Sequence, residues 1–321
     1  MTPVNAKPVL SLVVPCYNEA AGLASFWARA SDALDALGLA SEAIFIDDGS
    51  RDETFAVLGA LASRDPRVRV VALSRNFGKE VALAAGLDHA RGEAVVPIDA
   101  DLQHPPELLR ELVARWRDGH DVVIALRRDR ATDPWTRRAA ADLFHRLFAR
   151  LAAVPAPRGA GDFRLMSRPV VDALRRMPER IRYMKGMYAW VGFRTTTVEY
   201  DVEERSSGES RFGFVRLLRL ALDGVVSFSA LPLRASSVLG ALFALVAIAY
   251  GGWLVVRTIL HGVDVPGYAS LMVVVLFLGG VQLLSLGVIG EYLGRMYDEV
   301  KGRPLYLVRA RLGFPPDDPR P

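Results

Sequence analysis

The run Val95-Val-Pro-Ile-Asp99-Ala-Asp101-Leu-Gln103-His-Pro-Pro-Glu107 carries the clearest chemistry in the chain: an apolar strand ends in two carboxylates one residue apart. Carboxylates are hard-oxygen ligands for a divalent ion, and such an ion can in turn carry a diphosphate. The end of a strand is also where an open α/β sheet places its ligand, so nucleotide-sugar chemistry is the first hypothesis. Taken alone, the pair reads equally well as a cap, with Asp101 closing the helix that Pro105-Pro106 begins. Its surroundings have to decide.

Two further loops hold side chains of the same kind, Pro15-Cys-Tyr17-Asn18-Glu19 and Asp47-Asp48-Gly49-Ser50. All three follow short apolar runs that read as strands: Val9 to Pro15, Ala43 to Asp47 and Ala94 to Asp99, with Val68 to Leu73 and Val122 to Ala125 completing the set. Helical patterns begin near Glu19, Arg51, Lys79 and Pro105. Strands alternating with helices imply right-handed crossovers and a mostly parallel, Rossmann-like sheet. In such a sheet the loops at the carboxyl ends converge on one crevice, which raises the catalytic reading above three separate turns.

The 321 residues are 51% hydrophobic with a net charge of +4. The apolar surplus is concentrated between Val238 and Gly290, and the basic residues gather beside it. They lack the aromatic interleaving of a base-stacking surface, so anionic lipid and phosphate are expected as partners and nucleic acid is not. The single Cys16 excludes an internal disulfide and reads as core packing. Met1 to Lys7 shows no apolar segment after a basic one, so no signal peptide is visible and the amino-terminal domain is expected in the cytoplasm. The five histidines show no paired metal spacing, and neither a phosphate-binding P-loop nor a nucleophile elbow is present.

Val238 to Val256 runs 19 residues without a charge and Tyr268 to Gly290 runs 23. Either is long enough to cross the roughly 30 Å of a hydrocarbon core at about 1.5 Å per residue. Arg234 precedes the first span, and Arg295, Lys301, Arg303, Arg309 and Arg311 follow the second, whereas the connector is poor in charge. The positive-inside rule then places both ends in the cytoplasm, with the two spans forming a hairpin in the inner membrane. Phe214 to Phe228 sets Arg216, Arg219 and Asp223 among apolar residues at helical spacing, as an interfacial helix would. Thr136 to Val154 is a second amphipathic stretch, either a solvated helix face or a mobile element that touches lipid or acceptor. Gly279-Gly280, Gly287 and Gly290 offer small-residue surfaces for a homo-oligomer. The tail from Phe314 is expected to be disordered.

In this order, Val14-Pro-Cys-Tyr-Asn-Glu19, Asp47-Asp-Gly-Ser50, Arg75-Asn-Phe-Gly-Lys79, Asp99-Ala-Asp-Leu-Gln-His-Pro, Gly161-Asp-Phe-Arg-Leu165 and Arg205-Ser-Ser-Gly-Glu-Ser210 resemble the inverting family-2 glycosyltransferases that charge polyprenyl phosphate. Dolichol-phosphate mannose synthases and bactoprenol glucosyltransferases belong to that group. The hairpin with Gly290-Glu-Tyr-Leu-Gly-Arg295 and Lys301-Gly-Arg-Pro-Leu-Tyr306 is most similar to the bactoprenol branch. One departure is visible: the family often has Lys where this chain has Arg211, and a guanidinium also holds phosphate.

The resemblance implies a GT-A catalytic domain over 1–210, an interfacial segment over 211–232, two transmembrane helices within 233–294 (about 236–257 and 268–290) and a cytoplasmic tail over 295–321. It assigns the donor to Pro15, Tyr17, Asn18, Glu19, Asp47, Asp48, Lys79, Asp99, Ala100 and Arg127, and a Mg²⁺ or Mn²⁺ ion to Asp99, Asp101 and Gln103. Arg205, Ser210, Arg211 and Lys185 are the candidates for the acceptor phosphate, and Asp162, Asp101 and Arg205 for catalysis. The implied reaction moves one hexose, glucose from UDP-glucose, to undecaprenyl phosphate for cell-envelope glycans. Alternatives are GDP-mannose or a modified sugar such as an aminoarabinose as donor and, in another class, a non-catalytic membrane scaffold. The absence of a Gln-x-x-Arg-Trp motif argues against a processive polysaccharide synthase.

Overall fold

The computed structural model describes residues 7–128, 160–177, 179–180, 182, 184–200, 231–261 and 267–315. They fall into two compact units, one made of the amino-terminal region together with residues 303–315, the other of the carboxyl-terminal helices up to Gly302.

In the first unit eight strands share one sheet: β1 (Leu10–Cys16), β2 (Ser41–Asp47), β3 (Val68–Leu73), β4 (Ala94–Pro97), β5 (Val122–Arg127), β6 (Ala160–Ser167), β7 (Thr195–Tyr200) and β8 (Val308–Leu312). Their spatial order is β7-β5-β6-β4-β1-β2-β3-β8. The block β4-β1-β2-β3 is parallel and covered on both faces, which is why its strands read as nearly continuous Val, Ile, Leu and Ala. Helix α1 (Leu23–Leu37) covers one face through Phe26 and Trp27, which meet Phe45 edge-to-face at 6.2 and 5.8 Å. Helix α3 (Lys79–His89) lies so close to β1 that a Cβ on Gly86 would come within 2.1 Å of Val13 Cγ1, so only glycine fits there. Helices α2 (Thr54–Arg64), α4 (Leu109–Arg117), α5 (Arg168–Arg176) and α6 (Met184–Trp190) are the others among the described residues of this unit.

The five expected strands are present, with shifted ends. β4 stops at Pro97, so Asp99 and Asp101 stand in the loop beyond it, and Pro106–Leu108 forms a 3-10 turn ahead of α4. The first two helices start at Leu23 and Thr54, a few residues after Glu19 and Arg51, because the intervening residues are used in loop contacts. The sheet is mixed: β6 runs antiparallel between β4 and β5, and β8 antiparallel along β3. β8 gives part of the 295–321 segment, just ahead of the stretch expected to be disordered from Phe314, a place in the sheet. Val308, Ala310 and Leu312 alternate with Arg309 and Arg311, a strand pattern that needs the β3 edge to form. Around it the Tyr306 hydroxyl donates to Asp88 Oδ2 at 3.0 Å, and Phe314, expected at the start of the disordered stretch, packs against the His89 ring at 5.7 Å.

The second unit contains α7 (Leu231–His261) and α8 (Tyr268–Val300), both longer than the expected spans. Their apolar segments, Ser236–His261 and Val273–Val300, have mean hydropathies of 2.2 and 2.3 and are long enough to cross a membrane. Phe243 of α7 and Phe277 of α8 meet edge-to-face at 5.4 Å. Among the described residues, a Cβ on Gly279, Gly280, Gly287 or Gly290 would meet nothing within 4 Å. The amphipathic stretches Thr136 to Val154 and Phe214 to Phe228 lie outside the described residues.

Candidate active site

β1 and β2 are parallel neighbours with Cys16 opposite Asp47, so the loops that follow them leave the sheet side by side. Main-chain donors stitch the two together: Asn18 N–H to Ser50 Oγ at 3.0 Å, Glu19 N–H to Thr54 Oγ1 at 2.9 Å, and Arg51 N–H to Asn18 Oδ1 at 2.9 Å. Asn18 holds a φ of 55°, a conformation that Asn tolerates better than most residues. Its amide oxygen is committed to the loop, while Tyr17 beside it is 42% exposed.

The paired acids after β2 divide their work. Asp47 is fully buried; its Oδ1 accepts the Ser50 N–H at 3.0 Å and its Oδ2 lies 3.6 Å from Arg309 Nη2 of β8. Asp48 accepts the Phe77 and Gly78 N–H groups at 2.7 and 2.9 Å, so both of its oxygens hold the loop that leads into α3. Burial pushes the Asp48 carboxyl up against the pull of those two bonds. Gly49, at φ +66°, makes the approach of the loops feasible: a Cβ would stand 2.3 Å from the Arg75 carbonyl carbon.

The Asp48 grip sets the start of α3, and with it Lys79. Lys79 Nζ lies 2.7 and 2.8 Å from the two oxygens of Asp99 and 3.2 Å from Asp162 Oδ2. Burial works against its charge, but the Asp99 and Asp162 carboxylates outweigh burial and hold the ammonium well above its ordinary range. Asp162 reaches this edge because β6 is antiparallel: Ala160 faces Leu126, so the beginning of β6 stands where the neighbouring strands end. Its Oδ1 is buried and has no hydrogen-bond partner. Asp101 Oδ1 accepts the Gln103 N–H at 3.1 Å, which shapes the loop rather than capping α4.

Several residues at this edge carried no sequence assignment. His104 Nδ1, buried and without a hydrogen-bond partner, is 3.9 Å from Asp99 Oδ2, and the ring packs on Phe163 and Tyr200. Burial, opposed by Asp99 and Asp101, lowers the His104 pKa and favours the neutral imidazole. Burial, reinforced by Asp99 and Asp101 and opposed by Arg127, pushes the Tyr200 hydroxyl up to about 12, which puts Arg127 in the same electrostatic neighbourhood. Glu80 Oε2 accepts the Met184 N–H at 3.0 Å, and burial together with Asp162 raises its carboxyl to about 7 against the pull of Lys79 and Lys185. Arg164 stacks over the Tyr188 ring at 3.9 Å. His104 stood inside a quoted motif and Glu80 directly after another, so position was the available signal; Tyr200 and Arg309 had none.

The edge therefore gathers Pro15, Tyr17, Asn18, Glu19, Asp47, Asp48, Lys79, Asp99, Ala100, Asp101, Gln103, Arg127 and Asp162 on the loops and element starts of one sheet, with Lys185 near Glu80. Arg205, Ser210 and Arg211 lie outside the described residues. Two carboxylates, an amide and a neutral imidazole with an unpartnered nitrogen form a donor set suited to a hard divalent ion. Among the described residues no three acidic, His or Cys side chains form a ready-made cage.

Residues 11–175 match the family model described as glycosyl transferase family 2, and residues 231–296 match the GtrB C-terminal hairpin. The chain is 52% identical to an uncharacterized glycosyltransferase of Synechocystis over 95% of this chain and 96% of that one. It is 45% identical to the SfII prophage-derived bactoprenol glucosyl transferase of Shigella flexneri, over 94% of this chain and 97% of that protein. A prophage bactoprenol glucosyl transferase homolog of Escherichia coli K12 is also 45% identical, over 94% of this chain and 98% of its own. The hairpin match and the two apolar helices associate the protein with a membrane. With its acid-bearing loops gathered on one edge of a mixed GT-A-like sheet and a carboxyl-terminal match to a hairpin of this type, the chain belongs to glycosyl transferase family 2.

Proposed function

We propose that the protein transfers one hexose, glucose from UDP-glucose, to undecaprenyl phosphate with inversion at the anomeric carbon. The observation that carries this reading is the 45% identity to a bactoprenol glucosyl transferase, which extends through 94% of the chain and so through both site and hairpin. A polyprenyl acceptor stays in the bilayer, since each buried CH₂ is worth about 0.8 kcal/mol. Its enzyme must work at the membrane surface, and the apolar helices suit that demand. The charge asymmetry of the loops supports a multi-pass arrangement with the catalytic unit and both termini in the cytoplasm.

The acceptor phosphate monoester is largely dianionic at neutral pH, its second pKa being about 6. It is a nucleophile already and needs placement more than deprotonation. In this reading Arg205, Ser210 and Arg211, with Lys185, hold it, and Arg205 keeps it in line for attack opposite the leaving group. Pro15, Tyr17, Asn18, Glu19, Asp47, Asp48 and Ala100 frame the nucleoside, and Lys79 and Arg127 face the diphosphate. Asp99, Asp101 and Gln103 are the residues to hold Mg²⁺ or Mn²⁺, with His104 beside them. When bound, that ion offsets charge on the departing nucleoside diphosphate. Asp162 orients Lys79 and the sugar, a role supported by its 3.2 Å contact with the ammonium.

The test is a donor panel of UDP-glucose, UDP-galactose, UDP-GlcNAc and GDP-mannose, each radiolabelled and assayed with undecaprenyl phosphate and Mg²⁺ or Mn²⁺. Label in the solvent-extractable lipid from UDP-glucose alone is the expected result. Preference for GDP-mannose overturns the donor assignment, and no transfer from any donor supports a scaffold instead.

A further inference from the structure

The most closely engaged cation of the site is one of the protein's own. Lys79 Nζ sits on both oxygens of Asp99, at 2.7 and 2.8 Å, and reaches Asp162 at 3.2 Å. A divalent ion ligated by Asp99 would approach that ammonium at contact range, and two cations on one carboxylate repel each other strongly in a partly buried site. Asp99 can serve one of them fully at a time.

The construction around Lys79 favours exchange. Its main chain is fixed, because the preceding Phe77 and Gly78 N–H groups are bound by Asp48. Its side chain is 46% exposed and long, so the ammonium can leave Asp99 without any change in the fold. Lys79 also opens α3, whose amino-terminal N–H groups and dipole favour an anion nearby. A diphosphate arriving there offers the ammonium a new partner at the moment a metal takes the carboxylate.

We infer that Lys79 is a displaceable counter-cation of Asp99 that keeps free divalent ions off the carboxylate and moves to the donor diphosphate when metal and nucleotide enter together. The inference rests on the metal-assisted reading above and adds an order to it: metal capture depends on the nucleotide.

Mn²⁺ binding to the full-length protein in detergent, followed by electron paramagnetic resonance with and without UDP, tests it. Wild type is expected to bind Mn²⁺ weakly alone and at least tenfold more tightly with UDP. Lys79→Met removes the charge at similar length; it should bind Mn²⁺ without UDP at least tenfold more tightly than wild type and lose most of the enhancement by UDP. Lys79→Arg should restore the wild-type dependence, and Lys79→Gln provides a second neutral variant should the Met form not fold. Unchanged or weaker Mn²⁺ binding in the neutral variants, with UDP-dependent binding intact in wild type, overturns the counter-cation role alone. Mn²⁺ binding to wild type that is equally tight with and without UDP also overturns the counter-cation role alone, whereas no Mn²⁺ binding under either condition overturns the metal reading itself.

Discussion

Arg309 of the last strand places its guanidinium 3.6 Å from the buried carboxylate of Asp47 at the end of the second strand. A strand that follows both apolar helices in the sequence thus supplies the cation beside the loop after β2. Removing Arg309 leaves an Asp47 oxygen buried without a counter-charge. Because Arg309 itself is 51% exposed, Arg309→Met is expected to cost only about 1 kcal/mol of stability. The KM for the nucleotide sugar should rise by more than kcat falls. A thermal melt and steady-state kinetics with varied donor check both, and an unchanged KM would show that β8 is merely an edge strand.

Asp99→Asn and Asp101→Asn should each lower turnover by about 100-fold or more, the usual scale for losing one group that stabilises developing charge. Chelation by EDTA should abolish transfer, with Mg²⁺ or Mn²⁺ restoring it in wild type and far less in either variant. Full activity in excess EDTA would refute metal assistance.

Asp162→Asn should reduce kcat while leaving the donor KM within a few-fold if, as proposed, Asp162 orients the sugar and Lys79, which it contacts at 3.2 Å. The acidic limb of the pH profile, centred near the acceptor's second pKa of about 6, should persist in the variant, since the acceptor itself titrates there. A profile made flat by the substitution would instead identify Asp162 as a general base.

Glu80 supplies a pH signature in stability. Burial and Asp162 raise its carboxyl from 4.5 to about 7 in the folded protein, so the folded state binds a proton more tightly than the unfolded chain. Its contribution is present in full below 4.5 and is lost as pH rises through about 7. Glu80→Gln should therefore gain in melting temperature relative to wild type between pH 5 and about 7.5. Parallel melting curves across that range would show that Glu80 is not held in this way.

Local chemistry determines much of this protein. Short Val, Ile and Leu runs alternating with helical patterns read as strands of a mostly parallel sheet, whose carboxyl ends put Asp47 and Asp99 at one edge. The long uncharged stretches announced α7 and α8 by length alone. Pairing that is distant in sequence was not legible. Strand periodicity does not name a partner, so nothing local told that β6 inserts antiparallel between β4 and β5 and carries Asp162 to Lys79. Nor did it tell that five residues beyond the helices would pair with β3 and bring Arg309 to Asp47. The division of labour between adjacent acids is tertiary for the same reason. Asp47 and Asp48 are identical side chains, yet one is buried beside Arg309 and the other holds two main-chain donors of a loop about thirty residues away. Sequence supplied the carboxylates; the fold decided which of them Lys79 holds.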